Sequence, residues 1–117
     1  MTTETTIQSA IRARAAQLGV FLWRNNSGVL MDERGVPVRF GLGNDSARLN
    51  AVLKSSDLIG IAANGRFVAI ECKAPGWIGP RTPRERAQQA WIELIKRNGG
   101  YAGFATVITD LDHILGV

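Results

Sequence analysis

Three residues carry the clearest chemistry in this chain: Asp57, and the Glu71 and Lys73 of a Glu-x-Lys triplet whose middle residue is Cys72. Two carboxylates are hard oxygen donors and suit Mg²⁺ or Mn²⁺ far better than zinc. An ammonium beside them offsets their mutual repulsion and stabilises the charge that builds up on a phosphate when water attacks it. The backbone carbonyl of Cys72 can complete the protein's share of such a metal shell. All of this requires Asp57 and Glu71 to reach one face of one element.

The elements that must bring them together are two short strands. Arg66 to Lys73 is rich in β-formers and bounded by Asn64-Gly65 before and Ala74-Pro75-Gly76 after, which reads as a strand. Alternation puts Phe67, Ala69, Glu71 and Lys73 on one side and Val68, Ile70 and Cys72 on the other. Both sides are largely apolar, so the strand is expected to be buried on both faces. Asp57 opens the preceding run, which ends at Ala62. A two-residue Asn64-Gly65 loop would set Asp57 opposite Cys72, facing away from Glu71. A three-residue loop, Ala63-Asn64-Gly65, pairs Ala62 with Arg66 and sets Asp57 opposite Glu71. Glycine at the last loop position suits a turn followed by a glycine bulge, so we expect the three-residue register, or an equivalent bulge near Gly60.

Asp57 followed by Glu71-x-Lys73 resembles the core of the PD-(D/E)XK nuclease superfamily. The flanking segments narrow the likeness. Trp23 to Gly28, Ser55 to Gly60, Gly65 to Lys73, Gln88 to Ile92 and Asn98 to Gly100 together resemble the virus-type replication-repair nuclease (VRR-NUC) domain, in order and across nearly the whole chain. Two departures stand out: Ser56 rather than proline precedes the aspartate, and Asn44 to Lys54 replaces a short glycine-rich link.

The resemblance implies one domain over residues 1–117, with a mixed α/β sheet flanked by helices and a restriction-endonuclease-like αβββαβ core carrying an inserted hairpin. It implies a metal-dependent DNA endonuclease acting on branched DNA such as four-way (Holliday) junctions, as a homodimer, in a bacterium or in a phage within a bacterial host. Gln88 would then point into the active site, and Glu4 would line it. A DNA-binding module without catalysis, or a metal-free assembly protein with a coincidental Glu-x-Lys, are the alternatives; the intact set Asp57, Glu71, Lys73 and Gln88 argues against the first.

At 117 residues, with 45% hydrophobic and 21% charged residues, the chain is long enough for a real core and ordinary for a globular protein. It has neither an apolar run long enough to span a bilayer nor a signal-peptide pattern, so we expect a cytosolic protein with no membrane partner. Cys72 is the single cysteine and reads as a small buried hydrophobe rather than a nucleophile. Gly41-Leu42-Gly43 is not followed by Gly-Lys-Ser/Thr, so no nucleotide cofactor is expected.

A net charge of +4, from 14 Lys+Arg against 10 Asp+Glu, is a modest pointer to a polyanion. Arg81, Arg84 and Arg86 cluster after the Glu-x-Lys strand, either as a solvated helix start or as a phosphate-contacting patch. Arg48 and Lys54 flank a short helix from Ser46 to Leu53, capped by Asn44 or Asp45, which either contacts DNA or covers the sheet.

The order of elements is α, β, hairpin, short helix, hairpin, α, β, α. Thr3 to Leu18 is a helix with Ile7, Ile11, Ala15 and Leu18 on its apolar stripe. Val20 to Arg24 is a strand, and Val29–Met31 with Val36–Phe40 form a hairpin, our candidate dimer element. Thr82-Pro83-Arg84-Glu85 is a capping box with proline at the first helical position, opening a helix to about Arg97 with Ala87, Trp91, Leu94 and Ile95 in the core. Trp77, in the loop before it, packs over the core or stacks on a base. Tyr101 to Val107 is a strand, and Thr109 caps a last helix holding His113, the only histidine, read as structural.

Overall fold

The turn at Asn64-Gly65 decides the geometry of the whole sheet. In the computed structural model, which describes residues 3–117, the Ala62 N–H donates to the Arg66 carbonyl and the Gly65 N–H to the Ala62 carbonyl, both at 2.9 Å. Gly65 has φ +85°, a left-handed value that only glycine adopts without strain. This is the three-residue loop. The strands it joins, β4 (Leu58–Ile61) and β5 (Phe67–Cys72), pair antiparallel from Ile61↔Phe67 to Leu58↔Ile70. The ladder runs through Gly60, opposite Val68, without a bulge. What requires glycine there is the neighbour on the other side, β1 (Phe21–Arg24): a Cβ on Gly60 would stand 1.7 Å from the Phe21 carbonyl oxygen.

The central sheet has the order β1-β4-β5-β6, with β6 covering Tyr101–Ala105. β1 and β5 flank β4 antiparallel, and β6 runs parallel to β5. A parallel neighbour needs a crossover, which α3 (Pro83–Arg97) supplies. α3 opens as the sequence predicts: the Thr82 side chain accepts from the Glu85 N–H, Glu85 reaches back to the Thr82 N–H, and Pro83 sits inside the first turn.

Helices cover both faces of this sheet. α1 (Glu4–Gln17) and α4 (Ile108–Leu115) lie on the face of Val68, Ile70 and Cys72, where Ile7, Ile11, Ala15, Leu58 and Leu111 complete a core. α3 lies on the face of Ala69, with Trp91, Ile92 and Ala102 in the second core. Ile11, Leu58, Ile70 and Leu111 are wholly buried; each such side chain contributes roughly 1.5–3 kcal/mol. Ile92 joins Ala87 and Trp91 as a fully buried position of α3, while Leu94 and Ile95, expected in the core, are only partly buried.

α1, the three antiparallel strands, α3 and β6 make the αβββαβ core. Between β1 and β4 the chain inserts β2 (Gly28–Met31), β3 (Pro37–Phe40) and α2 (Ala47–Val52). β2 and β3 form a separate two-stranded sheet, with Gly28 opposite Phe40 and Met31 opposite Pro37.

The ends of three elements differ from expectation. α2 is capped by Ser46, whose hydroxyl accepts from the Leu49 N–H at 3.0 Å, and not by Asn44 or Asp45. Asn44 is instead buried and donates to the carbonyls of Gly28 and Phe40 at 3.0 and 2.9 Å. α4 begins at Ile108, before Thr109; its first turn is held by Asp110, which accepts from the Thr106 and Val107 N–H groups at 2.9 and 3.3 Å. That turn ends β6 at Ala105, two residues short of Val107. Among the described residues no helix is long and apolar enough to cross a membrane.

Candidate functional site

The β4–β5 register, continued one step beyond Leu58↔Ile70, sets Asp57 opposite Glu71 at the open end of the hairpin. Asp57 is partly buried and its Oδ2 accepts from the Cys72 N–H at 3.0 Å. Glu71 is 3% exposed. Burial first, and then the neighbouring Asp57 carboxyl, push its pKa up from 4.5 to about 10. Two carboxyls this close cannot both ionise cheaply in a dry site.

Lys73, two residues on, shares the Glu71 side of β5 and therefore faces α3. It is 8% exposed, and its Nζ donates to Gln88 Oε1 at 2.8 Å. Gln88 is itself buried on α3. Lys73 Nζ also stands 5.6 Å from the centre of the Trp77 ring, within cation–π range. Trp77 is fixed in turn: its indole N–H donates to Glu85 at 2.8 Å, and its ring packs on Phe104 with centroids 4.6 Å apart. The loop tryptophan is thus packing that bears on the lysine. Burial pushes the Cys72 thiol well above its ordinary range, which suits a packing residue and not a nucleophile.

Asp57, Glu71 and Gln88 line a cleft of about 210 Å³. Lys54 and Arg84, both expected to contact phosphate, line it too, together with Arg39, which the sequence did not single out. Arg48, Arg81 and Arg86 are exposed and lie outside the cleft. Glu4 is exposed at the start of α1 and also lies outside the cleft; its charge reaches Glu71 and Cys72, where it is the weakest of the influences raising each pKa. His113 is exposed in the last turn of α4.

Two asparagines that the sequence reading did not place at the site shape the cleft. The Asn25 backbone N–H donates to the Asp57 carbonyl at 2.7 Å, and its side chain donates to Ser55 Oγ and the Ser56 carbonyl at 2.8 and 2.9 Å. It therefore pins the backbone on which Asp57 sits. Asn44 braces the β2–β3 hairpin by donating to the Gly28 and Phe40 carbonyls, and lines the cleft with Gly28, Val29 and Arg39. The Asn25-Asn26 pair was visible as a loop, but nothing local indicated which of the two turns inward. Ser56, where proline would be expected before the aspartate, is buried and accepts from the Trp91 indole at 3.2 Å.

Among the described residues no cluster of three or more His, Cys, Asp or Glu side chains could hold a metal ion. The protein offers two facing carboxylates, all-oxygen donors in a cleft. That set fits Mg²⁺ or Mn²⁺, which keep several waters and need few protein ligands. It does not fit a structural zinc site.

No model of a known protein family matches the chain, and no curated protein matches it. A solved structure described as a VRR_NUC domain does: the match covers 99% of this chain and 97% of that one, with a TM-score of 0.57 at 17% sequence identity. On backbone architecture, this chain has the fold of a VRR_NUC domain.

Proposed function

We propose that the chain is a metal-dependent DNA endonuclease hydrolysing phosphodiester bonds. The observation that carries this reading is the placement of Asp57 opposite Glu71, with Lys73 held beside them by Gln88. The likeness to a VRR_NUC domain supports it at the level of fold.

In this reading Asp57, Glu71 and the Cys72 carbonyl would hold Mg²⁺ or Mn²⁺, which when bound would supply a polarised water and charge neutralisation at the phosphate. Asp57 and Glu71 would both serve as oxygen ligands, Glu71 giving up its proton, where a cation's charge offsets their repulsion. Lys73 stabilises the negative charge developing on the phosphate oxygens. Gln88 fixes the lysine's direction, Trp77 closes off solvent on its other side, and Glu4 adds a more distant negative charge near the metal. Arg48, Arg81 and Arg86 steer the backbone from outside the cleft.

The test is a nicking assay with Mn²⁺ on linear, flap and four-way DNAs. Asp57→Ala and Lys73→Ala are each expected to reduce cleavage by at least about 10³-fold while DNA binding persists. Cleavage by both variants at the wild-type rate would sink the assignment.

Symmetric incision of a four-way junction needs two sites related by a twofold axis. The β2–β3 hairpin is the proposed dimer element, because it exposes a run of apolar side chains, Leu30 at 66% and Met31 at 67% among them. Such a patch on an unpaired edge marks an association surface. Sedimentation at micromolar concentration should report a dimer, and Leu30→Glu should shift it to monomer; a wild-type monomer removes this element of the reading.

A further inference from the structure

The cleft that holds the carboxylates also brings together three cations from separate parts of the chain: Arg39 from β3, Lys54 just after α2, and Arg84 from the first turn of α3. Each of the two better-buried ones is held by a neutral oxygen. Arg39 donates from Nε to the Asn44 carbonyl at 3.2 Å and from a terminal nitrogen to Asn44 Oδ1 at 2.6 Å. Lys54 Nζ donates to Asn50 Oδ1. These tethers fix direction without cancelling charge.

The ion pairs found among the described residues, Arg14–Asp112 and Arg34–Asp32, involve none of the three. Like charges that share a cleft without ion-pair partners of their own cost free energy. The cost is visible at Lys54, whose pKa falls below its ordinary value through burial and then through repulsion by Arg84 and Arg39. An anion entering the cleft would offset this repulsion. Arginine forks and a lysine together suit the oxygens of a phosphate.

We infer that Arg39, Lys54 and Arg84 form a second anion subsite, which grips a backbone phosphate of the same nucleic-acid strand whose scissile phosphate faces Asp57 and Glu71. The inference rests on the nuclease reading for the identity of the strand. It adds a role for the inserted segment: the hairpin carries Arg39 and the stretch after the short helix carries Lys54, so the insertion builds part of the binding cleft. Asn44 is the positioning residue of this wall, since it ties Arg39 to the hairpin's own backbone.

The experiment is equilibrium binding of the full chain to a fluorescent DNA oligonucleotide in EDTA, across a salt series. Arg39→Gln, Lys54→Gln and Arg84→Gln are each expected to weaken binding several-fold and to reduce the slope of log K against log salt by about 0.9 for each phosphate that is no longer neutralised. Arg97→Gln, at the far end of α3, serves as the control and should leave the slope unchanged. Arg84 is exposed, so its variant folds even if a buried substitution disturbs the hairpin. Wild-type slopes in all three variants would overturn the subsite. So would displacement of the oligonucleotide by an equal concentration of inorganic phosphate, which would mark a free-ion site. Cleavage with Mn²⁺ is scored separately: reduced slopes without any cleavage sink the nuclease reading and leave the subsite standing, whereas cleavage with unchanged slopes does the reverse.

Discussion

Charges on the two faces of the sheet are treated in opposite ways. On the outer side, Arg14 of α1 and Asp112 of α4 form a two-point pair, with Nε to Oδ1 at 2.9 Å and a terminal nitrogen to Oδ2 at 2.8 Å, both groups about a third exposed. Each lies near water, each has its opposite charge, and the pair ties two helices together. At the cleft, Glu71 is buried against Asp57 with its pKa raised so that it keeps its proton, and the buried Lys73, two residues on, has an amide for its partner. The first arrangement is what a chain selected for stability alone would use. The second buries ionisable groups without a full set of opposite charges and shifts their protonation, a pattern that marks candidate functional sites.

The sharpest way to break that contrast is to remove the buried ionisable group. Glu71 has its pKa raised from 4.5 to about 10 in the folded chain, by burial and then by Asp57. Its contribution to stability is therefore complete below about pH 4.5, where both states carry the proton, and is lost as pH climbs towards 10. Within that window each pH unit removes about 1.4 kcal/mol. Glu71→Gln keeps the shape and the donor of the protonated acid and cannot ionise. In EDTA it should be more stable than wild type by several kcal/mol near pH ~8, and its stability should stay nearly level from about pH 5 to about pH 9. Urea melts across that range decide it; parallel curves for the two proteins would mean that Glu71 is not strained by its surroundings. Added Mn²⁺ should stabilise wild type and not the variant.

What could be read from the residues and what could not follows the same local-versus-distant division. The Asp57–Glu71 pairing was legible because a left-handed backbone position at Gly65 is a local demand, and strand parity then carries it along both arms of the hairpin. The capping box at Thr82 was legible for the same reason. The α2 cap was misplaced because Asn44 is drawn away by the carbonyls of Gly28 and Phe40, sixteen and four residues distant. Nothing near Asn44 announces that competition. Arg39 escaped notice because its importance comes from Lys54 and Arg84 arriving from other elements. The inward turn of Asn25 depends likewise on Ser55 and Ser56, some thirty residues on. Site residues fixed by one turn are readable, and those fixed by three elements meeting are not.

A smaller effect sharpens the role of the amide. Gln88→Leu removes the side-chain acceptor of the Lys73 ammonium, and should cost roughly 1–3 kcal/mol for the donor left unsatisfied. Gln88→Glu returns an acceptor with a charge, and should recover that stability while lowering cleavage, because a carboxylate there consumes the field the lysine would offer a phosphate. A variant with full activity and full stability would show that the amide neither holds the lysine nor tunes it.

The smallest effect belongs to the outer pair, and it tests the comparison from the other side. The Arg14 guanidinium holds the Asp112 carboxyl below its ordinary value of 3.8. For a carboxyl shifted downward the stabilisation is present above that value and is lost as pH falls through the lower, folded one. Asp112→Asn should therefore lower the melting temperature slightly at neutral pH and leave it unaltered at a pH below the folded value, with the difference also fading in high salt, where exposed charges are screened. The pH dependence has the opposite sign to that of Glu71: stability gained as the proton leaves at the outer surface, stability lost as it leaves in the cleft. Should Asp112→Asn instead cost as much as a buried substitution and ignore salt, the outer pair would be carrying the fold, and the separation between charges that stabilise and charges that wait would fail.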